Sequence, residues 1–252
     1  MSRVPAAEHT LQVLSLLAGS RGPLPAASIA SQLGVPRSSI YQLLAVMVER
    51  GFVLHYPEAR RYGLGPSAFE LGGGFARQQP LARLGRPLVE SLVDRVGESG
   101  HLAVLSGSDV LYLVEDRAPR RPSLVSDEGV RLPAHLTATG RAMLAMLPVA
   151  QLRALYPDAG AFTSRDGEAW SYRRLKTVLE AVRRDGVATE HGEVTPELAS
   201  VGAAVLDSSQ WPVAAIALTY READVTAGQV AEWSREVRAA AAELERRIRP
   251  RS

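Results

Sequence analysis

The chain has no cysteine, and only Lys176 is lysine among its 29 basic residues. The first absence excludes disulfides, thiolate metal sites and a cysteine nucleophile. The second, with abundant alanine, reads as GC-rich coding bias and carries little functional information. No apolar run reaches the ~18 residues that a membrane span needs. The N-terminus has no charged segment leading into an apolar stretch, so a cytoplasmic bacterial protein without membrane contact is expected. There is no internal repeat and no low-complexity tract. Catalytic signatures are missing as well. The five histidines, His9, His55, His101, His135 and His191, form no H-E-x-x-H or other ligand spacing. No G-x-S-x-G elbow or glycine-rich phosphate loop occurs, and Gly72-Gly73-Gly74 reads as a joint. Hydrolysis by Glu190 and Glu193 stands against the commoner reading of both as surface glutamates. Neither metal nor cofactor is expected. An enzyme with a regulatory N-terminal domain is the weakest reading.

What the chain does have is an ordinary globular balance, 46% hydrophobic and 22% charged residues over 252 positions. Its charge is uneven. Residues 1–65 carry six arginines and three glutamates, whereas the whole chain nets only +2. This is a mild footprint for a polyanion. Helices are expected at 7–18, with Leu11, Leu14 and Leu17 on one side, at 25–33, and at 37–49. In the third, Ile40, Leu43, Leu44 and Met47 follow the i, i+3, i+4, i+7 pattern, and Gly51 stops it. Residues 52–56 and 61–64 alternate around Pro57-Glu58-Ala59-Arg60, a hairpin signal.

Three short helices and a hairpin within ~60 residues make a winged helix-turn-helix. The third helix presents Arg37, Ser38, Ser39, Tyr41 and Gln42 opposite its apolar face. Recognition helices contact base edges mostly with N-terminal residues. The serines suit phosphates, Gln42 a bidentate pair with adenine, and Arg37 guanine or a phosphate. Arg60 and Arg61 sit at the hairpin tip, within reach of a minor groove or the backbone. The alternative is a winged helix that packs on another protein.

After Gly65-Pro66 the pattern changes. Residues 66–79 read as a linker, partly helical. Beyond it, a helix at 81–96 carries Leu81, Leu84, Leu88, Leu92 and Val96 in register. Strands are expected at 100–105, 110–115, 200–206 and 213–220, and helices at 139–147, 171–185 and 227–248. The last opens with the capping-box pattern Thr226-x-x-Gln229. Its stripe of Val230, Trp233, Val237, Ala240 and Leu244 serves either core packing or a subunit interface. The fold class is α+β with a largely antiparallel sheet.

The stretches Leu24–Leu44, Glu49-x-Gly51-Phe52-Val53, Tyr62-Gly63-Leu64-Gly65 and His135-Leu136-Thr137-Ala138-Thr139-Gly140-Arg141-Ala142 resemble the IclR-type transcriptional regulators. The resemblance runs from residue 7 to about 248. It implies a winged helix-turn-helix DNA-binding domain over 1–65, a linker helix over 66–79, and a GAF-like effector-binding and oligomerisation domain over 80–252. It also implies homodimers, often dimers of dimers, on palindromic operators in double-stranded DNA, and a small organic effector, often an acid. The effector site it implies comprises Leu124, Ala138, Thr139, Glu190, Ser200, Ala217 and Thr219. The chain departs from the family's usual residues in four places. Gln42 stands where arginine is frequent, Ser200 where cysteine is common, Glu190 for aspartate, and Ala217 for a serine of some acid-binding members. From the residues themselves, Thr137 and Thr139 at a helix start fit either a carboxylate site or simple helix caps. Glu190 and Glu193 would oppose an anion unless paired or protonated, with His191, Arg117 and Arg131 as possible partners.

Overall fold

The computed structural model describes residues 4–20, 22–68, 70–71, 80–119, 121, 124–162 and 169–249. The chain forms two compact units, residues 1–78 and 79–252. The segment read as a linker, 66–79, falls largely outside the described residues, although 66–68, 70 and 71 are helical.

The first unit runs α1 (Pro5–Ala18), β1 (Leu24–Pro25), α2 (Ala26–Leu33), α3 (Arg37–Glu49), β2 (Val53–Tyr56) and β3 (Arg61–Leu64). Gly34 ends α2 in the left-handed region, φ 65°, and so sets the tight turn into α3. Ile29, Ile40, Leu44 and Met47 close the core between α2 and α3, and Val13 and Leu17 join it from α1. Leu11, expected on the buried side of α1, is 64% exposed. The sheet has the order β1-β3-β2 and is antiparallel. β1 lacked a sequence signal because two residues, one of them proline, show no alternation.

The second unit runs α4 (Pro80–Val96), β4 (Ser99–Ser106), β5 (Asp109–Arg117), β6 (Arg131–Pro133), α5 (Ala138–Met146), α6 (Val149–Leu155), α7 (Tyr172–Asp185), β7 (Ala188–His191), β8 (Leu198–Leu206), β9 (Pro212–Arg221) and α8 (Ala227–Ile248). Its six strands form one antiparallel sheet, β6-β5-β4-β9-β8-β7. Helices cover both faces, so β8 and β9 are nearly continuously apolar, as strands buried on two sides must be. On one face Val201, Ile216 and Leu218 pack with Val89 and Leu92 of α4 and with Trp233, Val237 and Leu244 of α8. The α8 stripe is therefore core packing, which decides between the two readings of it. On α4 the buried line shifts by one residue from the expected stripe. Val89, Leu92 and Val93 are buried, and Leu84 and Leu88 only partly.

The other sheet face carries small residues where α5 crosses it. A Cβ on Gly202 would lie 3.1 Å from the Ala138 carbonyl carbon. A Cβ on Gly140 would lie 2.1 Å from the Ala134 carbonyl oxygen, so only glycine permits this approach of the preceding turn. Thr137 caps α5, its hydroxyl accepting from the Gly140 N–H at 2.9 Å.

Candidate functional site

Two groups of residues carry the functional reading. On α3, Arg37, Ser38, Tyr41 and Gln42 are exposed on one face, while Ile40, Leu44 and Met47 are buried on the other. Ser39 is half-buried at the edge of that face. Such a face presents donors and acceptors from the first turns of a helix held rigidly from behind. Arg60 is exposed at the hairpin tip with a left-handed backbone, φ 51°. Arg61 is exposed too, but its guanidinium donates to the Pro23 carbonyl at 3.2 Å, just before β1.

The second group lies in the C-terminal unit. Leu124, Ala138, Thr139, Glu190, Ser200, Ala217 and Thr219, drawn from a loop, α5, β7, β8 and β9, line one small cavity of about 20 Å³. His101, Tyr112, Ser126, Val194 and Leu198 also line it and were not anticipated. Strand pairing explains the convergence: Glu190 is opposite Ser200, and Ser200 opposite Thr219. The result is a hydrogen-bonded row. Ser200 donates to Glu190 Oε1 at 2.8 Å, its Oγ is 2.9 Å from Thr219 Oγ1, and Thr219 is 3.1 Å from His101 Nε2.

The charge around this row differs from the sequence reading. Glu190 is not a surface glutamate but 2% exposed. Burial pushes its carboxyl up to about 7, with the Ser200 hydrogen bond pulling the other way and Glu193 adding to the rise. Burial drops His101 to about 4, so the imidazole is neutral near neutral pH. Burial also raises Glu193, but the Arg141 charge and hydrogen bond outweigh it and hold that carboxyl below its ordinary value. Arg141 is thus the charged partner of Glu193, and the His191 backbone N–H donates to the same carboxylate. His191 pairs with Glu222, Arg131 donates to Ser106, and Arg117 lies 3.7 Å from Glu115. Arg141 was visible in the sequence motif, but a buried arginine has no periodic signature.

These shifts make opposing contributions to stability. Between pH 4.5, the ordinary carboxyl value, and about 7, the unfolded chain ionises Glu190 while the folded one does not. Its contribution therefore falls as pH rises. His101 acts in the reverse sense: its contribution is present above 6.5 and is lost as pH falls toward about 4. Glu190→Gln should remove the first slope and leave the second. Its stability should then climb more steeply with pH between 4.5 and 6.5 than that of the parent. Denaturant melts across that window read the difference, and parallel curves would contradict a buried, protonated Glu190.

Family models match both units of the chain. Residues 6–55 match the IclR helix-turn-helix domain, and residues 74–246 match the C-terminal domain of bacterial IclR transcriptional regulators. The chain belongs to the IclR family. The transcriptional repressor IclR of Escherichia coli is 28% identical over 236 residues, 93% of this chain and 86% of that protein. An IclR regulator from Alicyclobacillus acidocaldarius superposes with a TM-score of 0.84 at 22% identity, covering 97% of this chain and 99% of the other. An IclR homologue from Microbacterium hydrocarbonoxydans, solved in complex with 4-hydroxybenzoate, gives 0.80 at 21% identity over 96% and 98%. The IclR matches describe regulators of transcription, not enzymes. No helix among the described residues is long and apolar enough to cross a membrane.

Proposed function

We propose that this IclR-family regulator reads operator DNA with the exposed face of α3 and changes its operator affinity when a small organic molecule occupies the C-terminal cavity. Residues 1–65 serve as the DNA-binding domain, 66–79 as the linker, and 80–252 as the effector-binding and oligomerisation domain. The protein acts as a homodimer, or a dimer of dimers, on palindromic sites in the bacterial cytoplasm. The observation that carries the DNA reading is the exposed cluster Arg37, Ser38, Tyr41 and Gln42 on one face of α3, in a unit whose hairpin tip exposes Arg60. The relative solved with 4-hydroxybenzoate supports a small-molecule effector for the second domain.

An effector acts only through unequal affinity for the DNA-competent and DNA-incompetent states. Binding to the fragment upstream of the protein's own gene, followed by fluorescence anisotropy, tests the DNA half. Affinity should fall steeply between about 50 and 200 mM salt, because phosphate contacts release counterions. No binding to any promoter fragment at low salt would overturn the reading and turn attention to a protein target for the winged helix.

A further inference from the structure

A second pocket adjoins the cavity, at the end of the sheet where β4 begins and β9 stops. Strand register builds it: Ser99 is opposite Thr219, and Leu198 opposite Arg221. Leu124, Leu198 and Thr219 line both spaces. The outer pocket is much the larger, about 240 Å³ against about 20 Å³. Charged side chains of both signs line it, Glu98 and Asp224 with Arg121 and Arg221.

Two of these groups have hydrogen-bonding capacity to spare. Arg221 lies 4.0 Å from Glu197 and 4.0 Å from Asp224, beyond hydrogen-bond length, so among the described residues its guanidinium donors are unspent. Glu98 is 4% exposed. Arg121 donates to its Oε1 at 2.6 Å, and its Oε2 has no hydrogen-bond partner among the described residues. A buried acceptor left in that condition costs stability until a donor reaches it. Burial raises the Glu98 carboxyl above its ordinary value, Arg121 opposes the rise, and Asp224 adds to it. A positively charged donor would therefore gain from both carboxyl groups.

A guanidinium fork suits a carboxylate, and an unpaired acceptor beside a second acid suits an ammonium. We propose that the outer pocket is a second binding site, which takes an α-amino acid: Arg221 holds its carboxylate, Glu98 and Asp224 its ammonium, and Leu124 and Leu198 an apolar side chain. A ligand carrying both signs meets both halves of the wall, where a plain acid or a plain amine meets one. This site is independent of the ligand that the inner cavity takes.

Thermal shift with the standard protein amino acids, added singly to the full chain near neutral pH, finds the tightest binder. Calorimetry then compares it with the hydroxy acid, the simple carboxylic acid and the amine of the same side chain; for leucine these are α-hydroxyisocaproate, isocaproate and isopentylamine. The amino acid should bind at least about tenfold more tightly than each, the difference expected for one lost hydrogen bond to a charged group. Arg221→Gln and Asp224→Asn should each weaken it by about tenfold for the same reason. Both side chains are exposed, so the variants should fold. No amino acid bound, an analogue bound as tightly, or binding unchanged in both variants overturns the proposal. Amino-acid binding lost in Ser200→Trp but kept in Arg221→Gln would place the ligand in the inner cavity; the second site then fails while the effector reading stands.

Discussion

Arg141→Ala is expected to destabilise the C-terminal domain by about 3–5 kcal/mol, the usual cost of removing one partner from a buried ion pair. The side chain is 4% exposed, with Glu193 only a quarter exposed beside it. Alanine would strand Glu193, leave the carbonyls of His135 and Thr189 without their donor, and remove the guanidinium 5.0 Å from the Trp170 ring centre. For a domain of this size the loss should lower Tm by roughly 10 °C. Arg141→Lys should recover only part of it, since an ammonium cannot reproduce a three-way fork. The effect reaches the cavity as well. Glu193 sits in the loop that brings Val194 and Thr195 to the cavity wall, and its own N–H holds Glu190. A loss below about 1 kcal/mol by chemical denaturation, typical of an exposed pair, would contradict the anchoring role.

The second large effect is on DNA. Arg37→Ala and Gln42→Ala should each weaken specific operator binding by about 1–3 kcal/mol if the side chains read bases. Both side chains are exposed on α3, so fold stability should move by less than about 0.5 kcal/mol. That separation matters, because Ile40 and Leu44 on the same helix are buried, and truncating either to alanine would cost about 2–5 kcal/mol of stability. Unchanged affinity and unchanged sequence preference in both variants would refute the assignment. Tyr41, 54% exposed, belongs to the same face, whereas the half-buried Ser39 should contribute less.

The elements most legible in the sequence were those with a start, a stop and a single apolar face. For α8 the capping box forms as its pattern implies, with Thr226 and Gln229 bonded reciprocally, and α3 has its turn glycine before and Gly51 after. Elements without such marks escaped. β6 is only three residues long, β7 alternates in burial but buries a glutamate at one of its two inward positions, and the seven residues of α6 fit several patterns. Leu11 was misplaced because α1 is apolar on more than one side, and tertiary packing chose Val13 instead.

The cavity divides in the same way. Its seven expected residues came from family resemblance and converge because strand register sets Glu190, Ser200 and Thr219 side by side. His101 and Tyr112 were readable as strand residues, but alternation alone does not say which sheet face becomes a cavity wall. The identity of the charge partner was invisible for a different reason. Arg141 and Glu193 are 52 residues apart and meet only once α5 lies against β7.

Selection of bound sequences from a random DNA pool, by the parent protein and by Gln42→Ala in parallel, tests the central claim most directly. The account predicts that the parent enriches a two-fold symmetric site and that Gln42→Ala relaxes the preference at one position in each half-site while keeping the spacing. Failure of the parent to enrich any sequence, or an identical site from the variant, would contradict the claim that this face of α3 reads the operator.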